Sequence, residues 1–441
     1  MNAGLGDDAV RHLQALLKID TTNPPGNETA AAEYLADLFD AAKLPPVLLG
    51  ARPERKNVIA RLHGSGEKPP LLLSAHLDVV PAEPDQWTHP PFAGEIHDGY
   101  LWGRGAIDMK HMAVMSALVL LRLKEEGVSL KRDLIFAGVA DEEAGCDDGS
   151  RFLVDHHPDK VRAEFALGEA GGFTIYLGGQ TIYPIQIAEK GAVWMKLRAT
   201  GRPGHGSMPR ENNAVARIGQ AVARLASTRL PQHRTAVVDK YLRAIAATQK
   251  FPNSFLLKKL HIRRIADLVL GKLPDKGVAA ALAAVLSNTA VPTVLRAGGK
   301  INVIPGFAEA EVDGRSLPGQ TTADLIAEVR RTIGEDVEIE VLREMPPVEQ
   351  EAESALWDLM KSALERHHPG AIVVPYLAPG FTDAKSWSRL GCRSYGFMPL
   401  RFPDDGTKFG DLYHGHDERI PVEGLKWGVQ VLYEVVKAFV T

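Results

Sequence analysis

His76 closes the apolar run of "LLLSAHLDVVP" (71–81), and Asp78 follows two residues later. Asp108, the pair Glu142–Glu143, Glu169 and His414 recur in similar settings, at the ends of strand-like runs or where a loop enters a helix. Imidazole and carboxylate together form the donor set of zinc and related divalent ions. Loops at strand ends are where open α/β sheets present the side chains that contact ligands. Apolar runs deliver His76, Glu142–Glu143 and Glu169 at their C-terminal ends, so several carboxylates and an imidazole would share one rim. Carboxylates gathered there repel one another unless a cation neutralises them. Each position also has an ordinary alternative. His76 could be a strand-end histidine, Asp108 a helix N-cap, and "DEE" (141–143) a solvated acidic loop. Glu169 could be a turn residue among glycines, and His414 a surface histidine in "YHGHDERIP". The glycines of "WGRGAID" and "GEAGG" fit neither a P-loop nor a dinucleotide fingerprint.

The elements that must position these residues follow from periodicity. Residues 7–19 and "ETAAAEYLADLFDAAK" carry apolar side chains at helical spacing. "NVIARL" (57–62), "LLLSAH" (71–76), "DLIFAGVA" (133–140) and "AEFALGEA" (163–170) read as strands, and a long helix follows Asp108 to about residue 126. "GEIHDGYLWGRG" (94–105) reads as a hairpin turning at Asp98-Gly99. Strands alternating with helices predict an α/β sheet covered on both faces. Near residue 188 the character shifts to a partly alternating strand followed by a helix, and the region about 228–299 holds helix-like stretches but no cluster of catalytic residue types. An α/β domain interrupted by an α+β insertion is the economical reading.

Composition narrows the class. With 441 residues, two or three domains are expected at roughly 150 residues each. The chain is 45% hydrophobic and 24% charged, enough apolar material for sizeable cores. A net charge of -4 leaves no basic footprint for nucleic acid, and no basic amphipathic segment argues for a membrane surface. Two cysteines, Cys146 and Cys392, cannot build a disulfide framework, although a single bridge stays open. No signal pattern opens the chain and no apolar run approaches roughly 18 residues, so a cytoplasmic location is expected.

The motifs "SAHLDVVP" (74–81), "GRGAIDMK" (103–110), "ADEEAG" (140–145), "GEAGG" (168–172), "GRPGHGSMP" (201–209), "NVIP" (302–305) and "HGHDERI" (414–420) stand in one order along the chain. In that order the sequence resembles the M20 metallopeptidases, which include glutamate carboxypeptidases, acetylornithine deacetylase, succinyl-diaminopimelate desuccinylase, aminoacylases and carboxypeptidase S-like enzymes. The resemblance implies a zinc-exopeptidase-like catalytic domain, α/β with a mostly parallel sheet covered by helices, and an inserted α+β lid or dimerisation domain. The catalytic parts are expected at 1–187 and 319–441 and the lid at 188–318, with 228–299 as an added helical segment.

The resemblance further implies two divalent ions, Zn2+ by preference with Co2+ or Mn2+ as alternatives. His76 and Glu169 would bind one, Glu143 and His414 the other, and Asp108 would bridge them. Asp78 would stand behind His76 and aim its ring, and Glu142 would be the general base for a metal-bridging water. His205 would donate to the tetrahedral oxyanion. Asn302, Arg315 and Gly380, the last in "APGFTDAK", match substrate-holding positions, with Phe381 where a small residue is usual. Arg315 could equally be a structural ion-pair residue.

The implied activity is cleavage of an amide bond beside a free α-carboxylate, in small peptides or N-acyl amino acids. An N-acyl-amino-acid deacylase with a bulky acyl pocket is the alternative, and a homodimer through the lid is one expected assembly. An inactive binding protein on this fold would be expected to lack a ligand, the base or the lid histidine, and none is missing.

Overall fold

The computed structural model describes residues 4–273 and 276–441. The chain divides into two compact units. The first comprises Met1–Ile187, Gln350–Tyr376 and Thr382–Thr441, and the second Ala188–Glu349 with Leu377–Phe381.

At the centre of the first unit, Leu134–Val139, Leu71–His76, Phe165–Gly168 and Arg393–Gly396 lie side by side in that order, all parallel. Antiparallel strands flank them, Asn57–Leu62 on one side and Gln180–Glu189 on the other. Every residue of Leu71–His76 and Leu134–Val139 is buried, as a parallel sheet covered on both faces requires. Helices Leu5–Leu17, Lys110–Glu125 and Val422–Val440 pack together on one face, and Phe39 of helix Glu28–Ala41 meets Phe136 of the sheet with ring centroids 5.3 Å apart. On the other face Leu153, Val154 and Trp387 pack against Ile59, Leu72 and Ile135. The expected hairpin is present. Ile96–His97 pairs with Tyr100–Trp102 through Asp98 and Gly99, at φ 50° and 79°. Arg419–Pro421 adds a third strand beside Tyr100–Trp102.

The second unit is built on a four-stranded antiparallel sheet in the order Thr289–Ala297, Phe307–Ser316, Gly191–Thr200 and Glu338–Met345. Burial along Phe307–Ser316 alternates residue by residue, the mark of a sheet with one face on a core. That core joins Val193, Met195, Leu197, Ala310 and Val312 to Ile218, Leu225, Leu325 and Val329.

The boundary expected at 318 falls at 349 instead. Helix Thr322–Ile333 and strand Glu338–Met345 complete the second sheet, the strand by pairing with Gly191–Thr200. The 228–299 segment holds helices Ala236–Ala247, Asn253–Lys258, Arg263–Lys272 and Lys276–Leu286, but it ends in the edge strand Thr289–Ala297. Both cysteines are free and buried. Among the described residues no helix is long and apolar enough to cross a membrane.

Candidate metal centre

Because Leu71–His76, Leu134–Val139 and Phe165–Gly168 run parallel, their C-terminal ends share one edge of the sheet. That edge carries His76, the turn bearing Glu142–Glu143, and Glu169. His76 Nε2 lies 3.0 Å from Asp108 Oδ1 and 3.8 Å from Glu169 Oε2. The other Asp108 oxygen lies 2.9 Å from His414 Nε2, which is 3.3 Å from Glu143 Oε2. Asp108 therefore stands between two imidazoles, with Glu169 on the His76 side and Glu143 on the His414 side. It is not a helix cap, since Met109 occupies that position and the helix starts at Lys110. Glu142 and Glu169 are buried, so neither is a solvated loop or turn residue.

Further residues fix this geometry. His76 Nδ1 lies 3.0 Å from the Asp78 backbone carbonyl oxygen and 3.5 Å from its carboxylate. A proton on Nδ1 serves Asp78 and leaves Nε2 as the ligand nitrogen. The Asp78 carboxylate also accepts from the backbone N–H groups of Glu142 and Glu143, both at 3.1 Å, and from Asn23 Nδ2 at 2.8 Å. One aspartate thus sets both the ring and the glutamate turn.

The sequence reading missed Glu418. Fully buried, it accepts from Arg104 at 2.7 Å and from the backbone N–H groups of Gly105, Ile107 and Asp108 at 2.8–3.1 Å. Its position inside "HGHDERI" was the available signal. A buried Arg55, paired with Glu28 at 2.5 Å and Asp141 at 2.9 Å, supports the Glu142–Glu143 turn instead.

The electrostatics of the cluster share one cause. Burial first, then the Asp108 charge, pushes Glu143 up to about 7. Burial lifts Glu169 to about 8 and drives Glu142 well above the ordinary carboxylate range, the Glu169 charge adding to the latter. Burial opposes the charged form of His414, yet Asp108 and Glu143 raise it to about 10. His76 behaves likewise, raised by Asp108, Asp78 and Glu169 against its burial. The three glutamates and both imidazoles hold protons tightly, whereas His414 and His76 keep Asp108 ionised against its burial, so the glutamates are short of neighbouring positive charge.

The buried oxygens Glu143 Oε1 and Glu169 Oε1 also lack a hydrogen-bond donor among the described residues. Buried acceptors left so are costly. Divalent cations would answer both deficits, and the donor set fits them: donor atoms of His76, Asp108 and Glu143, and of His76, Glu142 and Glu169, lie within 4.8 Å of one another.

The remaining candidates belong to the second unit. His205 is exposed in the short strand Gly204–His205, with Nδ1 2.8 Å from Ser207 Oγ. That strand pairs with Val303–Ile304, and the Gly206 N–H donates to the Asn302 carbonyl oxygen at 2.9 Å, which brings His205 and Asn302 together. Arg315 is held bidentately by Asp313 at 2.8 and 3.1 Å, and its guanidinium lies 5.1 Å from the Phe381 ring centroid, next to Gly380.

The Peptidase family M20/M25/M40 profile matches residues 72–438. The chain is 32% identical to probable carboxypeptidase S-like 2 of Dictyostelium discoideum, over 83% of this chain and 71% of that protein. It is 29% identical to N-fatty-acyl-amino acid synthase/hydrolase PM20D1 of Mus musculus, over 83% and 74%. Its fold superposes on the M20 family metallo-carboxypeptidase Sso-CP2 from Sulfolobus solfataricus with a TM-score of 0.73 at 19% identity, covering 98% and 99% of the two chains. With a profile match across most of its length and the charge-deficient cluster inside the matched residues, the chain belongs to peptidase family M20/M25/M40.

Proposed function

We propose that this chain hydrolyses the amide bond beside a free α-carboxylate in small peptides, as a dipeptidase or carboxypeptidase using two zinc ions. His76, Glu169 and Asp108 would hold one ion, and Asp108, Glu143 and His414 the other. Bound divalent ions would polarise the scissile carbonyl and lower the proton affinity of water.

The observation that carries the reading is the division of labour between adjacent glutamates. Glu143 pairs with His414 at 3.3 Å, whereas the Glu142 carboxylate has no hydrogen-bond or ion-pair partner among the described residues. A desolvated carboxyl with raised proton affinity is suited to take a proton from water and return it to the leaving amine. His205 keeps Nε2 open while Nδ1 is tied to Ser207, which suits a donor to the developing oxyanion. Arg315 Nη1 is buried without an acceptor, which suits a substrate carboxylate, and Asn302 and Gly380 would line the same subsite.

The second reading, N-acyl-amino-acid deacylation with a bulky acyl group, is favoured by the 29% identity to an N-fatty-acyl-amino acid synthase/hydrolase. The second unit reads as a lid. Dimerisation through it is supported by Val291 and Leu295, each 55% exposed on the edge strand Thr289–Ala297. Two free thiols support a cytoplasmic location.

Glu142→Gln is the test. Metal content should be unchanged, and turnover of dipeptides and N-acyl amino acids should fall by about 10²–10⁴-fold. Unchanged turnover in a metal-loaded variant would remove Glu142 from this role. Relative rates on a dipeptide, an N-acetyl and a long-chain N-acyl amino acid decide between the two readings.

A further inference from the structure

A second group of metal-type donors lies in the first unit, on the hairpin Ile96–His97/Tyr100–Trp102 and the loop before it. His97 Nε2 is 2.9 Å from Glu95 Oε2. The His89 ring stacks on His97 with centroids 3.7 Å apart and planes within 3°. Neither His89 nitrogen has a hydrogen-bond partner among the described residues. One donor atom each from His89, Glu95 and His97 lies within 4.8 Å of the others. None of the three belongs to the cluster around Asp108.

We propose that His89, Glu95 and His97 form a separate, solvent-facing binding site for a divalent transition-metal ion of the zinc class. Two imidazoles and one carboxylate are the donors such ions prefer, and three protein ligands leave a fourth position for water. The backbone brings the three side chains together. Glu95 and His97 are two residues apart in extended chain, so their side chains share a face. The turn at Asp98-Gly99 and the Trp102 Nε1 bond to the His97 carbonyl oxygen, at 3.3 Å, fix the strand end. His89 is held between His97 and the Trp102 ring, 4.6 Å away, and the residue before it is anchored by Thr88 Oγ1 donating to Asp417 at 2.8 Å.

Zinc bonds of 2.0–2.2 Å put tetrahedral donors about 3.3–3.6 Å apart, so donor atoms within 4.8 Å of one another close by at most about 1.5 Å, and the two stacked rings tilt out of parallel to aim both lone pairs at one ion. Side-chain exposures of 38% for His97 and 50% for Glu95 leave room for that. The exposure also gives an ion direct access from bulk water.

The rival explanation is a purely structural pile of rings, with Arg419 over Trp102 at 4.6 Å and His89 and His97 beyond it. Zinc binding separates the two. The full-length protein is equilibrated at a series of buffered free-zinc concentrations, and bound zinc per chain is measured by mass spectrometry for wild type, His97→Ala, His89→Gln and Glu95→Gln. Wild type should bind one zinc per chain more than His97→Ala at saturation, and zinc should raise the Tm of wild type further than that of the variant. His89→Gln and Glu95→Gln should need at least tenfold more free zinc to fill that equivalent, with peptide or N-acyl amino acid hydrolysis at low zinc unchanged. Should His97→Ala misfold, the two milder variants carry the test. Identical zinc isotherms for wild type and the folded variants would overturn the proposal. The comparison does not depend on how many ions the Asp108 cluster holds, because only the difference between proteins is read.

Discussion

Asp108 and Arg315 are both charged residues at candidate ligand positions, and the chain holds them in opposite ways. Asp108 is 4% exposed, its backbone N–H is gripped by Glu418, and its two oxygens face His76 and His414. Its geometry is in place before any ligand arrives, with each oxygen within 3.0 Å of an imidazole nitrogen. Arg315 is instead paired along its own strand with Asp313 and stacked near Phe381. It would have to share or exchange that partner to hold a substrate. Metal-type donors are preorganised by a buried scaffold, while the candidate substrate arginine is a reserve held by a local pair.

If that contrast is right, breaking the scaffold costs more than breaking the reserve. Glu418→Gln removes the charge opposite a buried Arg104 and weakens acceptance from three backbone N–H groups. Loss of a buried ion pair predicts about 3–5 kcal/mol of stability, measured by denaturant unfolding, with metal content falling in parallel. A loss under 1 kcal/mol would mean that Glu418 does not hold the Asp108 loop. Asp78→Asn should be milder. The fold persists, and metal affinity or activity falls by about ten- to hundredfold, read by metal titration and steady-state rates. Arg315→Lys should matter least: KM for a carboxylate-bearing substrate rises about tenfold while kcat is kept, because a point charge replaces a planar fork. A kcat collapse with KM unchanged would move Arg315 out of substrate binding.

The contrast also explains what was legible in the sequence. His76, Glu143 and Glu169 were legible because each follows an apolar run whose end the parallel sheet gathers at one edge, whereas Asp108 and His414 stood out through the motifs "GRGAIDMK" and "HGHDERI". Asn23 and Arg55 gave no such signal. Asn23 reaches Asp78 across 55 positions, and Arg55 reaches Asp141 only through the fold. Asp78 was read as aiming the imidazole, but its bonds to the Glu142 and Glu143 N–H groups depend on a turn that periodicity does not describe. The same holds for the boundary at 349. Strand Glu338–Met345, with no buried residue, carries no pattern that ties it to one sheet, and only its pairing with Gly191–Thr200 assigns it to the second.

Completion of the Asp108 cluster by divalent metal, with hydrolysis dependent on it, is open to one direct measurement. The direct test strips the full-length protein with a chelator, then adds zinc in steps while following both bound metal and turnover of a dipeptide and an N-acyl amino acid. Turnover should be negligible in the stripped protein and recover as the cluster fills, with His414→Ala failing to recover. Full turnover after exhaustive removal of metal would contradict it.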